Sequence, residues 1–159
     1  MSVTIRDARD DDATSLISLI GSVFSEYPGC VLEVDGEMPQ LRSIATTFER
    51  WGGQFWVVEK DGAIVGCGGF APTEGDGLEL KHLYIASGAR RTGLGTRLTH
   101  MVEEAAMVRG KRNVELWTDT RFAEAHKLYE GLGYARMPER RELHDLSRTV
   151  EYHYIKHLW

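Results

Sequence analysis

The chain has few of the residues that cross-link or stiffen a protein. Its 159 residues include two cysteines, Cys30 and Cys67, and four prolines. Two cysteines cannot build a disulfide framework, and neither belongs to a CxxC pair of the kind used for zinc binding or redox chemistry. We expect both to be reduced thiols, with Cys67 as a small core residue and with no catalytic role for either.

Long apolar runs are missing as well. No segment approaches the roughly 18 apolar residues of a membrane span, and the start at Met1 lacks the basic and apolar stretches of a secretion signal. These absences predict a cytoplasmic protein that has no membrane partner.

Positive charge is scarce relative to negative charge. The 19 Lys and Arg residues stand against 24 Asp and Glu residues, which gives a formal net charge of −5. Phosphate backbones are bound by clustered Lys and Arg, so this balance opposes nonspecific binding of nucleic acid. We expect no nucleic-acid partner and a weak overall preference for cationic ones.

What the chain does contain is an ordinary globular composition, with 42% hydrophobic and 27% charged residues. Its length suits one domain that buries roughly 70% of its unfolded surface. No repeat, low-complexity tract or linker divides the sequence. We therefore expect residues 1–159 to form a single domain.

Hydrophobic periodicity predicts strands and helices in a definite order. A strand at 3–9 precedes a helix that follows the acidic run 10–12, and a second helix covers 40–51. Two strands, 54–60 and 63–70, are joined by Asp61-Gly62, a strong hairpin signal. The remaining strands are predicted at 77–85, 113–118, 134–137 and 150–158. One further helix begins at Leu94, and another covers 123–130. This order, β-α-α-β-β-β-α-β-α-β-β, indicates an α/β domain with a mixed sheet.

A short glycine-containing run lies between the strand at 77–85 and the next helix. Residues 90–96 read Arg-Arg-Thr-Gly-Leu-Gly-Thr, and the unpaired N–H groups at a helix start can receive an anion there. Leu98 occupies the position of the third dinucleotide-fold glycine, and no Gly-Lys-Ser/Thr follows for a P-loop. The run therefore predicts a pyrophosphate site of another kind. The alternative is that it is only the glycine-containing start of a helix, with two solvated arginines beside it.

Two motifs in this order resemble those of the GNAT superfamily of N-acetyltransferases. Arg90, Gly93 and Gly95 fit its signature of Arg or Gln, two residues, Gly, one residue, and Gly or Ala. Residues 128–134 (LYEGLGY) resemble its LYEKLGF segment. The predicted element order is similar to the GNAT fold over nearly the whole chain. The resemblance therefore implies a GNAT-type α/β domain with a mixed, largely antiparallel central sheet flanked by helices.

The resemblance also implies that acetyl-CoA is the co-substrate and that an amine accepts its acetyl group. In the family, the main-chain N–H groups of the loop hold the coenzyme A pyrophosphate. The implied cofactor site begins at Arg90 and continues through Arg91, Thr92, Gly93, Leu94, Gly95 and Thr96. By the same resemblance, Leu83, Tyr84 and Ile85 pair with the pantetheine arm.

Acetyl transfer to an amine needs three kinds of group. An alkyl ammonium, with a reference pKa of about 10.4, must lose a proton, the oxyanion needs a hydrogen-bond donor, and the departing thiolate benefits from a proton. The resemblance gives the acid role to Tyr129 and the oxyanion to the main-chain N–H of Leu83. The alternative for Tyr129 is an aromatic side chain that packs beside Leu128 and Leu132.

Two residues compete for the role of base. Glu79 lies eleven residues before Arg90, where some GNAT members carry a glutamate that deprotonates the amine, often through water. The alternative is that Glu79 has no catalytic role and is exposed, because every second side chain of an alternating strand faces solvent. His82, which alternation puts on the opposite face of the strand from Glu79, is the reserve.

The sequence departs from the family at Phe122, where many members have an asparagine that hydrogen-bonds the pantetheine. The histidines form no convincing metal set, so we expect no metal. Acceptor selection is expected from residues 25–40 and 138–149, and the acidic residues among 33–37 hint at a cationic amine.

Two other interpretations remain open on the sequence. One is a non-catalytic acyl-CoA-binding or sensory module with the same fold. The other is an unrelated phosphate- or nucleotide-binding domain that uses the Gly93 loop. The sequence does not name the acceptor amine, and it leaves a homodimer open.

Overall fold

A single seven-stranded sheet organises the molecule, as seen in a computed structural model that describes residues 2–159. The strands are β1 (Val3–Asp7), β2 (Gln54–Lys60), β3 (Ala63–Pro72), β4 (Gly77–Ile85), β5 (Asn113–Asp119), β6 (Ala135–Glu142) and β7 (Val150–His157). The helices are α1 (Ala13–Phe24), α2 (Val34–Glu37), α3 (Ile44–Arg50), α4 (Leu94–Val108) and α5 (Ala123–Gly131). None of these helices is long and apolar enough to cross a membrane.

The strands lie in the order β1-β2-β3-β4-β5-β7-β6. Every neighbouring pair is antiparallel except β4 and β5, which are parallel and are connected through α4. The predicted α/β fold class, with a mixed and largely antiparallel sheet flanked by helices, is confirmed.

The hairpin between β2 and β3 turns at the predicted dipeptide. Asp61 and Gly62 both have positive φ, 52° and 79°, as a two-residue turn of the primed type requires. Beyond the turn, Val57 lies opposite Cys67, and Gln54 lies opposite Phe70.

Several element boundaries differ from the sequence expectation. The predicted helix 40–51 is a 3₁₀ turn, Pro39–Ser43, followed by α3. The short helix α2 was not expected. Strand β6 continues to Glu142 although its last residues are polar and exposed, because pairing with β7 supplies the hydrogen bonds after an irregularity between Arg136 and Arg140.

Two hydrophobic clusters cover the opposite faces of the sheet. On one face, Leu98 and Val102 of α4 and Tyr129 of α5 pack on Leu80 and Leu116. On the other face, α1 and α3 pack over alternate residues of β2, such as Phe55 and Val57. Strand alternation assigns each β2 side chain to one cluster or the other.

Strand β4 carries a bulge at His82. Lys81 lies opposite Gly69 and Tyr84 lies opposite Cys67, so His82 and Leu83 together face a single residue of β3. His82 has a φ of 56°, a left-handed conformation that a bulge accommodates. The two residues therefore interrupt the alternation of side chains along β4.

The bulge overturns one expectation about the base candidates. His82 was predicted on the opposite face from Glu79, but its ring packs near Phe48 and Phe55, the rings of the α3 side. Lys81, which pairs with Glu79, lies over Trp51 on that same side. The prediction was wrong because it assumed an unbroken alternation.

Candidate active site

A cavity of about 530 Å³ opens where β4 and β5 separate. The two strands pair from Gly77 opposite Asn113 to Glu79 opposite Glu115, and within residues 2–159 no further pairing joins them past that point. Leu83 and Tyr84 line the cavity from β4, Trp117 and Asp119 line it from β5, and Tyr129 lines it from α5. A parallel pair that diverges leaves main-chain groups of both strands free to face a ligand.

Tyr129 lies deep in this cavity. Its side chain is buried, and burial raises the pKa of its phenol above the ordinary value. No hydrogen bond to its hydroxyl is found within residues 2–159. The phenol is therefore protonated at neutral pH. Its O–H group has no hydrogen-bond acceptor within residues 2–159.

The loop before α4 has the geometry of an anion cradle. Arg91 and Gly93 both have positive φ, 62° and 84°, and Gly93 is the N-cap of α4 without a side-chain cap bond. The hydroxyl of Thr92 donates to the carbonyl of Ala89 at 2.6 Å and holds the turn together. The first N–H groups of the 15-residue helix α4 are thus left for an acceptor.

Arg90 does not extend toward that cradle. Its two terminal nitrogens donate to the carboxylate of Glu26 at 2.6 and 2.7 Å, and its Nε donates to the carbonyl of Ile85 at 2.9 Å. The guanidinium ties the loop to the end of α1 and to the end of β4. The carbonyl of Ile85 is thus occupied by Arg90, and Ile85 does not line the cavity.

Gly95 places the loop against α5. A Cβ at this position would lie 2.9 Å from Cδ2 of Leu128, the neighbour of Tyr129. A Cβ at Gly93 would meet nothing within 4 Å. The two glycines of the motif therefore differ in role: a Cβ at Gly95 would displace the end of the Leu128 side chain, whereas Gly93 has a left-handed backbone that disfavours any L side chain.

Glu79 lines a second cavity, of about 490 Å³, on the other side of the point where β4 and β5 pair. Its carboxylate lies 3.3 Å from Nζ of Lys81 and shares the cavity with Glu115. Glu79 does not line the cavity that Tyr129 lines.

His82 does line the cavity of Tyr129, but as a neutral base of low strength. Burial lowers the pKa of its imidazole to about 4. Its Nε2 lies 2.9 Å from the amide nitrogen of Gln40, which donates to it if the ring proton is on Nδ1.

The two irregular segments that were expected to select the acceptor meet over the cavity. Ser147 joins them, since its hydroxyl donates to the carbonyl of Val31 at 3.0 Å and accepts from the N–H of Val31 at 2.7 Å. The N–H of Leu146 also donates to Glu37 at 3.1 Å. This contact between residues 31–37 and 146–147, which we call the clasp, forms the roof of the cavity.

Carboxylates are concentrated in the lining of this cavity, whereas no Lys or Arg of residues 2–159 lines it. The acidic lining residues are Glu33, Glu37, Asp119, Glu142, Asp145 and Glu151. Sequence reasoning missed the last four as a group because they come from β5, β6, β7 and the loop before β7. No local spacing relates them.

Phe122 occupies the position at which the sequence departs from the asparagine of many GNAT members. Its ring packs 4.8 Å from that of Tyr27 and 6.5 Å from that of Tyr84, and it lines the cavity. The position contributes aromatic packing between α1 and β4 and has no side-chain hydrogen bond to offer.

Neither thiol is activated as a nucleophile. Burial raises the pKa of Cys67 to about 12, and burial together with the carboxylate of Asp119 raises the pKa of Cys30. A thiol must ionise to attack. Within residues 2–159 there is also no group of three or more His, Cys, Asp or Glu residues that could hold a metal ion.

Comparison with known proteins agrees with this geometry. The acetyltransferase (GNAT) domain family matches residues 51–136, more than half of the chain. The Escherichia coli protein YjgM, an uncharacterized N-acetyltransferase, is 36% identical over 99 residues, which are 60% of this chain and 59% of the relative. The chain thus spans about three fifths of that relative's length.

Solved structures share the fold over the full length. A GNAT acetyltransferase of Staphylococcus aureus superposes with a TM-score of 0.87 and 21% identity, covering 99% of this chain and 100% of the other. The protein yncA of Salmonella typhimurium, solved with its cofactor acetyl-CoA, superposes with a TM-score of 0.73 and 16% identity, covering 100% of this chain and 95% of the other. The family match, together with a cradle before α4 and a cavity where β4 and β5 diverge, leads to one conclusion: the chain belongs to the GNAT family of acetyltransferases.

Proposed function

We propose that this protein is an N-acetyltransferase in which an amine attacks acetyl-CoA directly in a ternary complex. The observation that carries the proposal is the cavity at the divergence of β4 and β5. Its lining includes the phenol of Tyr129, which has no hydrogen-bond partner within residues 2–159, and several carboxylates. We further propose that residues 1–159 act as one domain with this activity.

The residues present fit acetyl-CoA. Main-chain N–H groups at the start of α4, with Arg91 exposed beside them, suit a pyrophosphate. We propose Arg91, Thr92, Gly93, Leu94, Gly95 and Thr96 as this site, with Arg90 as the residue that fixes the loop through Glu26. The main chain of Leu83, Tyr84 and Ile85 is proposed to hold the pantetheine arm.

Acetyl-CoA, when bound, supplies the thioester carbon that the amine attacks. The N–H of Leu83, at the bulge of β4, is proposed to donate to the oxygen of that group as it becomes negative. Tyr129 is proposed to protonate the sulfur, because its phenol is protonated and has no protein acceptor within residues 2–159. No covalent enzyme intermediate is needed, in keeping with the raised pKa values of both thiols.

For the proton acceptor, the sequence proposes Glu79 acting through water, with His82 in reserve. A base pKa of about 4 makes His82 a weak acceptor at neutral pH. Glu79 would have to act from the neighbouring cavity, where Lys81 already partners its carboxylate.

The acceptor is proposed to be a cationic amine. The carboxylates in the cavity lining favour a positive charge, and clefts of one sign raise the local concentration of a counter-ion. Glu33, Glu37 and Asp145 each accept hydrogen bonds from neutral groups of the protein, which leave the negative charge of these carboxylates in place.

A thiol-release assay tests the proposed function. Purified protein with acetyl-CoA is given a panel of aliphatic primary amines, diamines, amino acids and neutral hydroxylic compounds. We expect coenzyme A release that depends on an amine and is faster with diamines than with amino acids. Tight binding of acetyl-CoA without release for any amine would favour a non-catalytic module of the same fold, and displacement of the coenzyme by ATP would favour a nucleotide-binding domain.

A further inference from the structure

Glu151 of β7 is a carboxylate inside the reaction cavity that the proposed chemistry has not used. It lines the same cavity as Tyr129, Leu83 and Tyr84. Its Cα lies opposite that of Asp119, at the end of β5 beyond the point where β5 leaves β4. Glu151 thus faces the space between the separated strands, whereas Glu79 lies where they still pair.

One oxygen of Glu151 is held and the other is available. Oε1 accepts a hydrogen bond of 2.6 Å from Nε of Arg141, and Arg141 in turn lies 4.4 Å over the ring of Trp117. No hydrogen bond to Oε2 is found within the described residues. The side chain is only 15% exposed and lines the cavity, so the carboxylate is held through Oε1 and has a second oxygen that no group of residues 2–159 hydrogen-bonds.

Charged and titratable groups from several elements surround Glu151. Glu142, Asp145 and Tyr129 line the same cavity, and Arg121 pairs with Asp119 at 2.9 Å. Arg141 of β6 faces it as a cation, Asp119 of β5 and Glu79 of β4 act on it as negative charges, and the phenol of Tyr84 lies nearby. Burial raises the pKa of Glu151, and the ion pair with Arg141 opposes that rise. A carboxylate with a raised pKa is a stronger proton acceptor than an exposed one.

We infer that Glu151 takes the proton from the acceptor's ammonium group, a catalytic role in place of Glu79, and this inference rests on the proposed function. The ammonium transfers one proton to Oε2 and leaves a free amine. The nitrogen then forms its bond to the thioester carbon, and the carbon–sulfur bond breaks. The thiolate takes the proton of Tyr129, the nitrogen gives up its second proton to restore the Tyr129 phenol, and Glu151 returns its proton to solvent.

The experiment compares three charge-matched variants: Glu151→Gln, Glu79→Gln and Glu139→Gln. Glu139 is an exposed residue of β6 and lines neither cavity. kcat/KM for the most active amine of the panel is measured from pH 6 to pH 10. At neutral pH we expect a loss of roughly 10² to 10⁴-fold for Glu151→Gln, and less than about threefold for Glu139→Gln.

The pH profile separates a base from a structural residue. The ratio of Glu151→Gln to wild type should rise toward one as the pH approaches the pKa of the amine, because free amine then needs no base. The acid limb of the wild-type profile should move to higher pH in Arg141→Gln, since that variant removes the cation that favours ionised Glu151. Glu151→Asp, which keeps the carboxylate, should recover part of the activity.

Three outcomes would overturn the inference: a flat ratio across pH, a pH-dependent loss carried by Glu79→Gln alone, or more than about a third of wild-type activity in Glu151→Gln. Melting temperature and acetyl-CoA affinity of each variant identify a simple folding defect. If Glu151→Gln does not fold, the Arg141→Gln profile decides. Absence of wild-type turnover with every amine would contradict the proposed function itself, a different result from any of these.

Discussion

At the scale of single residues, Tyr129 offers the sharpest test of the chemistry. Tyr129→Phe removes one hydroxyl that has no hydrogen-bond partner among residues 2–159 and keeps the ring that packs at 6.0 Å from Tyr134 and Tyr154. A general acid contributes about 10² to 10⁴-fold, or about 3 to 5 kcal/mol of barrier. We expect kcat to fall by that factor while acetyl-CoA affinity, measured by calorimetry, stays near wild type.

A matched control is Tyr152→Phe. Tyr152 lies on β7 under the guanidinium of Arg136 at 4.0 Å and does not line the cavity. This variant should keep its kcat. If Tyr129→Phe retains more than about a third of wild-type kcat when chemistry is rate-limiting, Tyr129 is a core aromatic and another group protonates the sulfur.

At the scale of elements, the loop before α4 depends on a left-handed residue. Gly93→Ala adds a methyl group that meets nothing within 4 Å, yet the φ of 84° disfavours any L side chain. The expected cost is about 1 kcal/mol or more in stability, with a shift of the loop away from its cradle geometry. Acetyl-CoA should therefore bind more weakly, by about fivefold for 1 kcal/mol of strain that opposes binding.

Gly88→Ala is the control for this prediction. Gly88 lies just before the loop and has no positive φ, and a methyl group added there would also meet nothing within 4 Å. Coenzyme affinity should be unchanged in this variant. Equal affinities for Gly93→Ala and wild type would argue against the loop as the pyrophosphate site.

The clasp between residues 31–37 and 146–147 is a second element-scale feature. Ser147→Ala removes both hydrogen bonds to Val31, each worth roughly 0.5 to 1.5 kcal/mol. Because the clasp roofs the acceptor side of the cavity, the KM for the amine should rise several-fold. The KM for acetyl-CoA should not change, since its proposed site lies on the loop before α4.

Steady-state kinetics with each substrate varied in turn tests the clasp. Ser25→Ala serves as the control, because it removes a similar hydroxyl-to-carbonyl bond, to Ser22 at 2.6 Å, at an exposed helix end. Parallel rises of both KM values in Ser147→Ala would mean that the clasp stabilises the domain generally and has no specific part in holding the acceptor.

At the scale of the whole molecule, Glu103 connects α4 to the last strands. Its buried carboxylate accepts from the hydroxyl of Tyr134 at 2.8 Å and from Nζ of Lys156 at 3.1 Å, and it lies 3.0 Å from Nδ1 of His100. Burial tends to raise the pKa of Glu103, but these hydrogen bonds and the charge of Lys156 together hold it below the ordinary 4.5.

This lowered pKa makes part of the stability depend on pH. A carboxyl group whose pKa is lower in the folded state stabilises the fold above the unfolded pKa and loses that contribution as the pH falls through the folded pKa. Glu103→Gln should lower the free energy of unfolding by roughly 1.5 to 3 kcal/mol at pH 7. Urea titrations should show this difference shrinking below about pH 4.5, and a constant difference down to about pH 3 would contradict the ionic account.

Local sequence signals were sufficient for much of the fold and for part of the site. Asp61-Gly62 specified its turn because both residues tolerate positive φ, and helix α4 followed from its apolar stripe. The loop at Gly93 and the phenol of Tyr129 were identified because each belongs to a short contiguous motif. The roles of these residues stay predictions.

Only the tertiary structure decided which groups meet. The bulge at His82 depends on pairing with β3, and it reversed the predicted face of His82. Arg90 donates hydrogen bonds to Glu26, which lies 64 positions earlier in the chain. Glu151 reached the cavity of Tyr129 because β7 is inserted beside β5. Periodicity describes contacts within one element, whereas a site between diverging strands arises from pairings that no local spacing encodes.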